Sequence, residues 1–130
     1  MENNITLVTD FYTDVFINRN LSNCEQYMDE GYINNSNFVD NGRQGFIDYF
    51  QHYNHKFPKG SASIEKIHAN DNYVFVYAKH WTQFLGMKLE YKAIDIYEIS
   101  QNKIKEHWDS VEGLSAMSVF MFLIKRIFKL

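Results

Sequence analysis

Two segments in the last third of the chain carry the residue types that proton transfer requires. Asp95 lies in the middle of the apolar segment 93–97, and residues 107–109 read His-Trp-Asp. A carboxylate is costly to bury unless it is paired or protonated, and histidine titrates near neutral pH. We therefore predict two strands that bring Asp95 and His107 together as an acid–base pair. The alternative is a structural Asp95 that only binds a backbone N–H group or His107, since ion-pair networks also bury carboxylates.

The turn that joins these two strands determines which side chains face each other. Segment 100–102 reads Ser-Gln-Asn, and asparagine accepts the positive φ found at the last position of a three-residue hairpin loop. Because of Asn102 we predict such a loop, which places Asp95 opposite His107. A two- or four-residue loop instead places Asp95 opposite Trp108, since one step of register exchanges the two faces of a strand. The predicted loop also pairs Ile99 with Lys103 and Ile94 with Trp108.

The composition is that of one acidic domain rich in aromatic residues. The 130 residues carry a formal net charge of −3, which argues against a nucleic-acid surface, and 17% of them are aromatic. This aromatic content suits the wall of an apolar pocket. The single cysteine, Cys24, excludes an intramolecular disulfide, and the acidic, polar first ten residues predict no signal peptide. We therefore expect a cytoplasmic protein.

Hydrophobic periodicity divides the chain into helices followed by strands. Apolar residues at helical spacing predict three helices, over residues 3–18, 21–28 and 43–57. After residue 60 the period changes to two, which predicts a four-stranded antiparallel meander. Its strands are 61–68, 73–84 and the two strands that carry Asp95 and His107, and a further short strand is expected at 32–36. This order predicts an α+β fold with the helices on one face of a curved sheet.

Tyr12 and His80 are the further polar side chains that these elements could place near Asp95. Tyr12 lies on the apolar face of the first helix. His80 shares one face of the long strand 73–84 with Val74 and Val76, whereas the other face carries Tyr73, Phe75, Tyr77, Lys79 and Trp81. His80 reaches the interior only if the valine side points inward, and one step of register decides this.

A resemblance to a known family rests on several segments that occur in the family's order. Residues 93–109, AIDIYEISQNKIKEHWD, resemble the C-terminal hairpin of SnoaL-like proteins in the nuclear transport factor 2-like superfamily. The segments that resemble the family's N-terminal half are Phe11-Tyr12, Val15-Phe16-Ile17-Asn18, Tyr27-Met28, Tyr32-Ile33, Asp40-Asn41-Gly42 and Gly45-Phe46. The resemblance runs from about residue 5 to residue 111. It implies a cone-shaped, curved antiparallel sheet wrapped by N-terminal helices (nuclear transport factor 2-like or cystatin-like), with one apolar pocket inside.

The resemblance also implies catalytic roles. In SnoaL-like polyketide cyclases the aspartate taken to match Asp95 is the acid/base of an intramolecular aldol closure. In ketosteroid isomerase, which is similar in fold, a protonated aspartate and a tyrosine that resembles Tyr12 donate hydrogen bonds to an enolate oxygen. We therefore predict a cyclase or isomerase that acts on a carbonyl compound, with Asp95, His107 and Tyr12 as catalytic residues. No cofactor is expected, and no metal, because the histidines lack ligand spacing.

The predicted pocket departs from the family at one position. Many SnoaL-like proteins have a histidine where this chain has Asn35, and asparagine cannot take a proton at neutral pH. This departure favours the alternative function of a non-catalytic ligand-binding or dimeric interaction module. The ligand expected in either case is a small apolar or aromatic molecule with a carbonyl group. The residues predicted to line the pocket are His80, Asn35, Tyr97, Tyr32, Phe50 and Trp108.

Two apolar surfaces remain to be covered. The resemblance implies homodimers formed through the sheet, and we expect the outer sheet face to contribute to such an interface through Ile94, Ile96, Ile104 and Trp108. Residues 1–113 are expected to form the cone domain. Residues 114–130 form a mostly apolar tail with basic residues near its end. We predict a helix there that packs on the cone or on a partner, or that makes peripheral contact with a membrane.

Overall fold

The computed structural model describes residues 2–113 of the chain. The helical elements are α1 (Glu2–Tyr12), a π-helical turn (Thr13–Ile17), α2 (Cys24–Tyr27) and α3 (Arg43–Lys56). The strands are β1 (Met28–Asn34), β2 (Gly60–Asn70), β3 (Tyr73–Phe84), β4 (Met87–Ser100) and β5 (Lys103–Glu112). The α+β fold predicted from the sequence is confirmed. The predicted tail helix, 114–130, lies outside the described residues.

The sheet has five strands in the order β1-β5-β4-β3-β2. Strands β2 to β5 form the predicted antiparallel meander. The short strand expected at 32–36 begins earlier, at Met28, and pairs in parallel with β5, so the sheet is mixed rather than purely antiparallel. The Asn35 N–H group extends this pairing by one bond, 2.9 Å from the His107 carbonyl oxygen. Strand β1 and the last described strand, β5, therefore meet along one edge of the sheet.

The first helix changes its winding at the point where its buried face reaches the polar interior. The predicted helix over 3–18 is α-helical as far as Tyr12 and then continues as a π-helical turn, which the Asn18 N–H group closes on the Thr13 carbonyl oxygen at 2.8 Å. A π-turn inserts one extra residue and rotates the side chains that follow it. The second helix is shorter than the predicted 21–28, because a single turn at Leu21 precedes it.

The core lies between these helices and the inner face of the sheet. Val8 and Phe11 of α1 are buried against Val74 and Val76 of β3. Ile104 of β5 belongs to this core and is fully buried, although the sequence placed it on the outer face. The valine side of β3 thus points inward, and this orientation also brings His80 to the interior.

The hairpin between β4 and β5 explains the displaced Ile104. Its loop has two residues, Gln101 and Asn102, both with positive φ (50° and 61°), as a type I′ turn requires. The predicted three-residue loop is therefore wrong. A bulge follows, in which Glu98 pairs with Glu106 while Lys105 has no opposite residue.

The turn and the bulge together set the register of the hairpin. Asp95 lies opposite Asp109, and His107 lies opposite Tyr97. The predicted register thus differs from the observed one by two residues. Because side chains alternate between the two faces of a strand, a shift of two residues leaves each side chain on the same face. Asp95 and His107 therefore share the inner face, as diagonal rather than opposite neighbours. The remaining pairs are Ile99 with Ile104, Ile96 with Trp108 and Ile94 with Ser110.

Helices of the described residues are too short or too polar to cross a membrane. The longest of them, α3, has 14 residues.

Candidate functional site

A cavity of about 120 Å³ opens between the inner face of β3, β4 and β5 and the helices that cover it. Aromatic side chains form most of its wall, and a cluster of polar groups lies at one end. The residues that line it are Tyr12, Phe16, Asn34, Ser36, Phe38, Val39, Phe46, Tyr49, Phe50, Tyr53, His80, Tyr91, Ala93, Asp95, His107, Asp109 and Val111.

A larger groove of about 560 Å³ is lined by residues of β2, β3, β4 and the end of β5. It shares only His80 and Tyr91 with the cavity, and its charged side chains Lys88 and Glu90 are exposed and paired with each other at 3.2 Å. Exposed ion pairs of this kind are common on protein surfaces. We therefore take the smaller cavity, which holds buried titratable groups, as the candidate site.

A continuous chain of hydrogen bonds joins side chains from five elements in this cavity. The Tyr12 hydroxyl lies 2.5 Å from His80 Nε2 and 3.2 Å from Asp95 Oδ2. Asp95 Oδ1 lies 2.8 Å from His107 Nε2. His107 Nδ1 in turn lies 3.0 Å from Asn34 Oδ1. Protons can therefore redistribute along this chain without any movement of the backbone.

The orientation of the Asn34 amide assigns the tautomer of His107. The backbone N–H group of Ser36 donates to Asn34 Oδ1 at 3.1 Å, which identifies this atom as the acceptor oxygen. His107 Nδ1 must then carry a proton and donate it to the same oxygen. At the other ring nitrogen, Nε2 and the facing Asp95 oxygen share one proton. The pair is either imidazolium and carboxylate or neutral imidazole and carboxylic acid.

Burial shifts the other titratable groups of the chain. Loss of water around His80 lowers its pKa, and the nearby Asp95 charge opposes that effect. Burial and then the charge of Asp95 raise the pKa of Tyr12 well above its ordinary value. Both groups are therefore uncharged at neutral pH, so the Tyr12 hydroxyl can donate its one proton to Asp95 Oδ2 while its oxygen accepts from the N–H group of His80 Nε2.

Asp109 is a second carboxylate of the site. It lies opposite Asp95 on β5, is half-buried and faces the cavity. Burial raises its pKa, while the His107 charge and a hydrogen bond from Ser36 oppose that rise and Asp95 adds to it. The sequence alone did not indicate a catalytic role for Asp109. The spacing of two between His107 and Asp109 was the available signal, since it puts both on one face of a strand.

Asp95, His107 and Asp109 also place three potential metal ligands close together, with one ligand atom from each within 4.8 Å of the others. Carboxylates and imidazole are suitable ligands for several divalent cations. In this structure His107 Nε2 and Asp95 Oδ1 are bonded to each other. A cation at this position would have to replace that bond, so the geometry is better suited to proton exchange.

The structure separates the residues predicted to line the pocket into three groups. Tyr12, His80, Phe50, Asp95 and His107 line the cavity. Tyr32 and Tyr97 do not reach the cavity: they are buried behind it, where Tyr97 stacks on His107 and Tyr32 packs edge-on against Phe46.

Asn35 and Trp108 lie outside the cavity. Asn35 is exposed at the sheet edge and donates to Glu106, whereas its neighbour Asn34 points inward. Trp108 lies on the outer face beside Tyr73, because it alternates with the inward-facing His107. The prediction that these two residues line the pocket is therefore wrong.

Comparisons with known proteins give one family by sequence profile and one shared fold by structure. A profile of the SnoaL-like polyketide cyclase family matches residues 6–118. A candidate polyketide cyclase from Bacillus cereus has a similar structure, with a TM-score of 0.77 and 18% identity over 86% of this chain and 76% of its own. No curated protein matches the chain in sequence.

Two further solved structures show how broadly the fold is used. A SnoaL-like polyketide cyclase from Agrobacterium tumefaciens has a TM-score of 0.69 and 13% identity over 87% of this chain and 94% of its own. AclR, a candidate hydroxylase from Streptomyces galilaeus, has a TM-score of 0.71 and 16% identity over 100% of this chain and 83% of its own. At these identities the structural likeness concerns the fold alone.

Proposed function

Because the chain belongs to the SnoaL-like polyketide cyclase family, we propose that it is a cofactor-independent cyclase or isomerase that acts on a carbonyl compound through an enolate. The observation that carries this proposal is the chain of hydrogen bonds from His80 through Tyr12 and Asp95 to His107, which borders an aromatic cavity. Enolate chemistry needs a base for a C–H proton and donors for the oxygen, in a site with little water.

The two carboxylates divide these tasks because their surroundings differ. Asp95 is buried and already bonded to His107 and Tyr12, whereas Asp109 is more exposed to the cavity and has a raised pKa. Asp109 therefore takes the proton from the α-carbon. Asp95, with the proton that it shares with His107, and the Tyr12 hydroxyl stabilise the enolate oxygen.

The proton then completes one of two reactions. In an isomerisation Asp109 returns the proton to a different carbon of the same molecule. In a cyclisation the enolate carbon forms a bond to a second carbonyl carbon, and the resulting alkoxide takes up the proton. Both reactions return every group to its starting protonation state, and neither consumes a cofactor.

Exchange of α-hydrogens tests the proposal without knowledge of the natural substrate. Single-ring ketones such as acetophenone are incubated with the protein in D₂O, and loss of the α-hydrogen signal is followed by NMR. We expect Asp109→Asn to slow enzyme-dependent exchange by ~10²-fold or more, because an amide cannot accept the proton. Asp95→Asn retains a donor and should lose less. Asp10→Asn, on the exposed side of α1, is the control.

A wild-type protein that exchanges no α-hydrogens in any ketone it binds would contradict the catalytic proposal. The non-catalytic ligand-binding or interaction module would then be the better reading. The observation that favours this second function is the exposed Asn35, which leaves the β1 edge without the base that many family members have there.

We also propose that the protein is a homodimer, since Tyr73, Phe75 and Ile94 leave apolar surface exposed on the outer face of the sheet. In addition, contact of the 114–130 tail with a partner or a membrane stays a prediction from its sequence.

A further inference from the structure

Asn34 has a hydrogen-bonding group with no partner. Among the described residues, its Nδ2 atom is the one buried side-chain nitrogen or oxygen without a hydrogen bond. The side chain is 7% exposed and lies in the cavity wall beside His107. An unpaired donor removed from water destabilises a fold by roughly 1–3 kcal/mol, so such groups usually have a functional explanation.

Rotation of the amide would not relieve this deficit. The Asn34 oxygen already accepts from two donors, the Ser36 N–H group and His107 Nδ1. If nitrogen and oxygen exchanged places, Nδ2 would face the Ser36 N–H group, donor against donor. The contact with Ser36 therefore fixes the oxygen on the side of His107 and leaves Nδ2, which is itself buried, without a partner at the cavity wall.

We propose that Asn34 Nδ2 donates a hydrogen bond to an acceptor oxygen of a single-ring ligand, while Asn34 Oδ1 holds His107 in the Nδ1–H tautomer. One amide thus performs two tasks, because its oxygen positions the imidazole and its nitrogen binds the ligand. The inference rests on the proposed function only for the carbonyl class of the ligand. A ligand with a single oxygen places it either at Asn34 Nδ2 or at Tyr12 and Asp95, and the binding preference and the α-hydrogen exchange report these two positions separately.

The size of the cavity suits a single ring. Its volume of about 120 Å³ is close to the ~150 Å³ of an apolar protein cavity that binds a single benzene molecule. A fused polycycle requires several times this space. Such a molecule could place only one of its rings inside.

The cavity wall favours a flat ring. Phe46 and Phe50 lie with their ring centroids 4.7 Å apart on the helix side. On the sheet side the rings of His80 and Tyr91 are stacked at 4.9 Å with an interplanar angle of 6°. Aromatic faces and edges attract planar π-systems in offset or edge-on arrangements. Single-ring aromatic ketones and related cyclic carbonyl compounds therefore fit the wall and the unpaired donor together.

Acetophenone and ethylbenzene form the decisive probe pair, since they differ mainly in the carbonyl oxygen. Their dissociation constants are measured for the full-length protein by NMR titration. We expect the wild type to prefer acetophenone by about tenfold or more, because a site that holds a buried unpaired donor rejects an analogue without the acceptor. The resonances of the Asn34 side-chain amide should shift with acetophenone and stay unchanged with ethylbenzene.

Asn34→Leu removes the donor, and Asn35→Leu makes the same change at the exposed neighbour. In Asn34→Leu the preference should fall to about twofold or less while ethylbenzene still binds, a result that misfolding cannot produce. Asn35→Leu should keep the wild-type preference. The positioning role is read from the ¹⁵N shifts of the His107 ring, which should indicate the Nδ1–H form in the wild type and a tautomer mixture in Asn34→Leu.

Equal affinity of the wild type for both probes, failure to bind either of them, or an Asn34 amide that does not respond to acetophenone would each overturn the inference. The wild-type amide shift also decides the question if Asn34→Leu does not fold. Preference for acetophenone without α-hydrogen exchange would keep the inference and remove the proposed enzyme. Exchange without such a preference would do the reverse.

Discussion

At the scale of single residues, the proton shared by Asp95 and His107 is the central feature of the site. Asp95 and His107 hold one proton between them because Asn34 fixes the tautomer of the imidazole. The sequence indicated that Asp95 and His107 meet, since a carboxylate among apolar residues requires a partner. It could not indicate Asn34, because Asn34 and Asn35 are chemically identical neighbours and only the pairing of β1 with β5 decides which one points inward.

Replacement of Asp109 by asparagine should stabilise the protein at neutral pH. Burial raises the pKa of this carboxyl group in the folded protein. Above that pKa the ionised carboxylate therefore lowers the free energy of unfolding. At low pH the group is protonated in both the folded and the unfolded state, and this penalty disappears. Partial exposure of the side chain keeps the effect small. Thermal unfolding should give a higher Tm for Asp109→Asn than for the wild type at pH 7, and equal values near pH 3. A lower Tm at pH 7 would mean that the carboxylate is stabilised instead.

His80 should make the fold sensitive to mild acid. Burial lowers the pKa of His80 in the folded protein below the ordinary 6.5. As the pH falls, the imidazole is therefore protonated in the unfolded chain before it is protonated in the folded protein. The free energy of unfolding decreases as the pH falls below about 6.5. The Asp95 charge, Tyr12 and Tyr91 face the ring, and only the charge opposes this effect. His80→Gln should therefore lose less stability than the wild type between pH 7 and pH 5 in urea unfolding. The exposed His52→Gln serves as the control and should follow the wild type.

At the scale of elements, the β4–β5 hairpin shows how two errors can cancel. The sequence predicted three loop residues because of Asn102, whereas the chain uses a two-residue turn and one bulge residue, Lys105. The turn type and the bulge both depend on how side chains of the two strands pack against each other. The residue pattern of one strand alone does not show this packing. The inward face of Asp95 was predictable because it follows from alternation. The identity of its opposite neighbour was not.

Glycine in the turn should stabilise this hairpin. Gln101 has φ of 50°, a conformation that costs an ordinary residue ~1–2 kcal/mol, whereas glycine loses ~0.5–1 kcal/mol through its greater freedom in the unfolded chain. Gln101→Gly should therefore raise the free energy of unfolding by about 0.5 kcal/mol. Ser100→Gly, one residue earlier in extended conformation, should lower it by about as much. Equal effects of both substitutions in denaturant unfolding would contradict the type I′ turn.

At the scale of the whole molecule, the helices described within residues 2–113 cover the inner face of the sheet and leave its outer face exposed. The outer face carries Phe75 and Ile94, which are 37% and 48% exposed, together with the less exposed Ile96 and Trp108. The sequence predicted the fold because its period changes once, from helical to strand spacing. It did not predict the parallel β1–β5 edge, since that contact joins segments about seventy residues apart and no local pattern records it.

A charge at the centre of the outer face should separate the proposed dimer. Ile94→Lys would place an ammonium group within the apolar surface, where desolvation without a partner is costly. Light scattering and sedimentation should give a dimer for the wild type and a monomer for Ile94→Lys. Leu85→Lys, at an exposed turn away from this face, should stay dimeric. A wild-type monomer at micromolar concentration would contradict the homodimer.

The parallel edge also has a consequence for the order of events during synthesis. His107 and Asn34 are separated by 73 residues, and Tyr12 and Asp95 by 83. Contacts so distant in sequence form late, because the intervening chain must first be ordered. On the ribosome the N-terminal helices are complete long before β5 emerges. Until then the Asn34 edge has no strand to pair with, and its open N–H and C=O groups invite pairing with a neighbouring nascent chain.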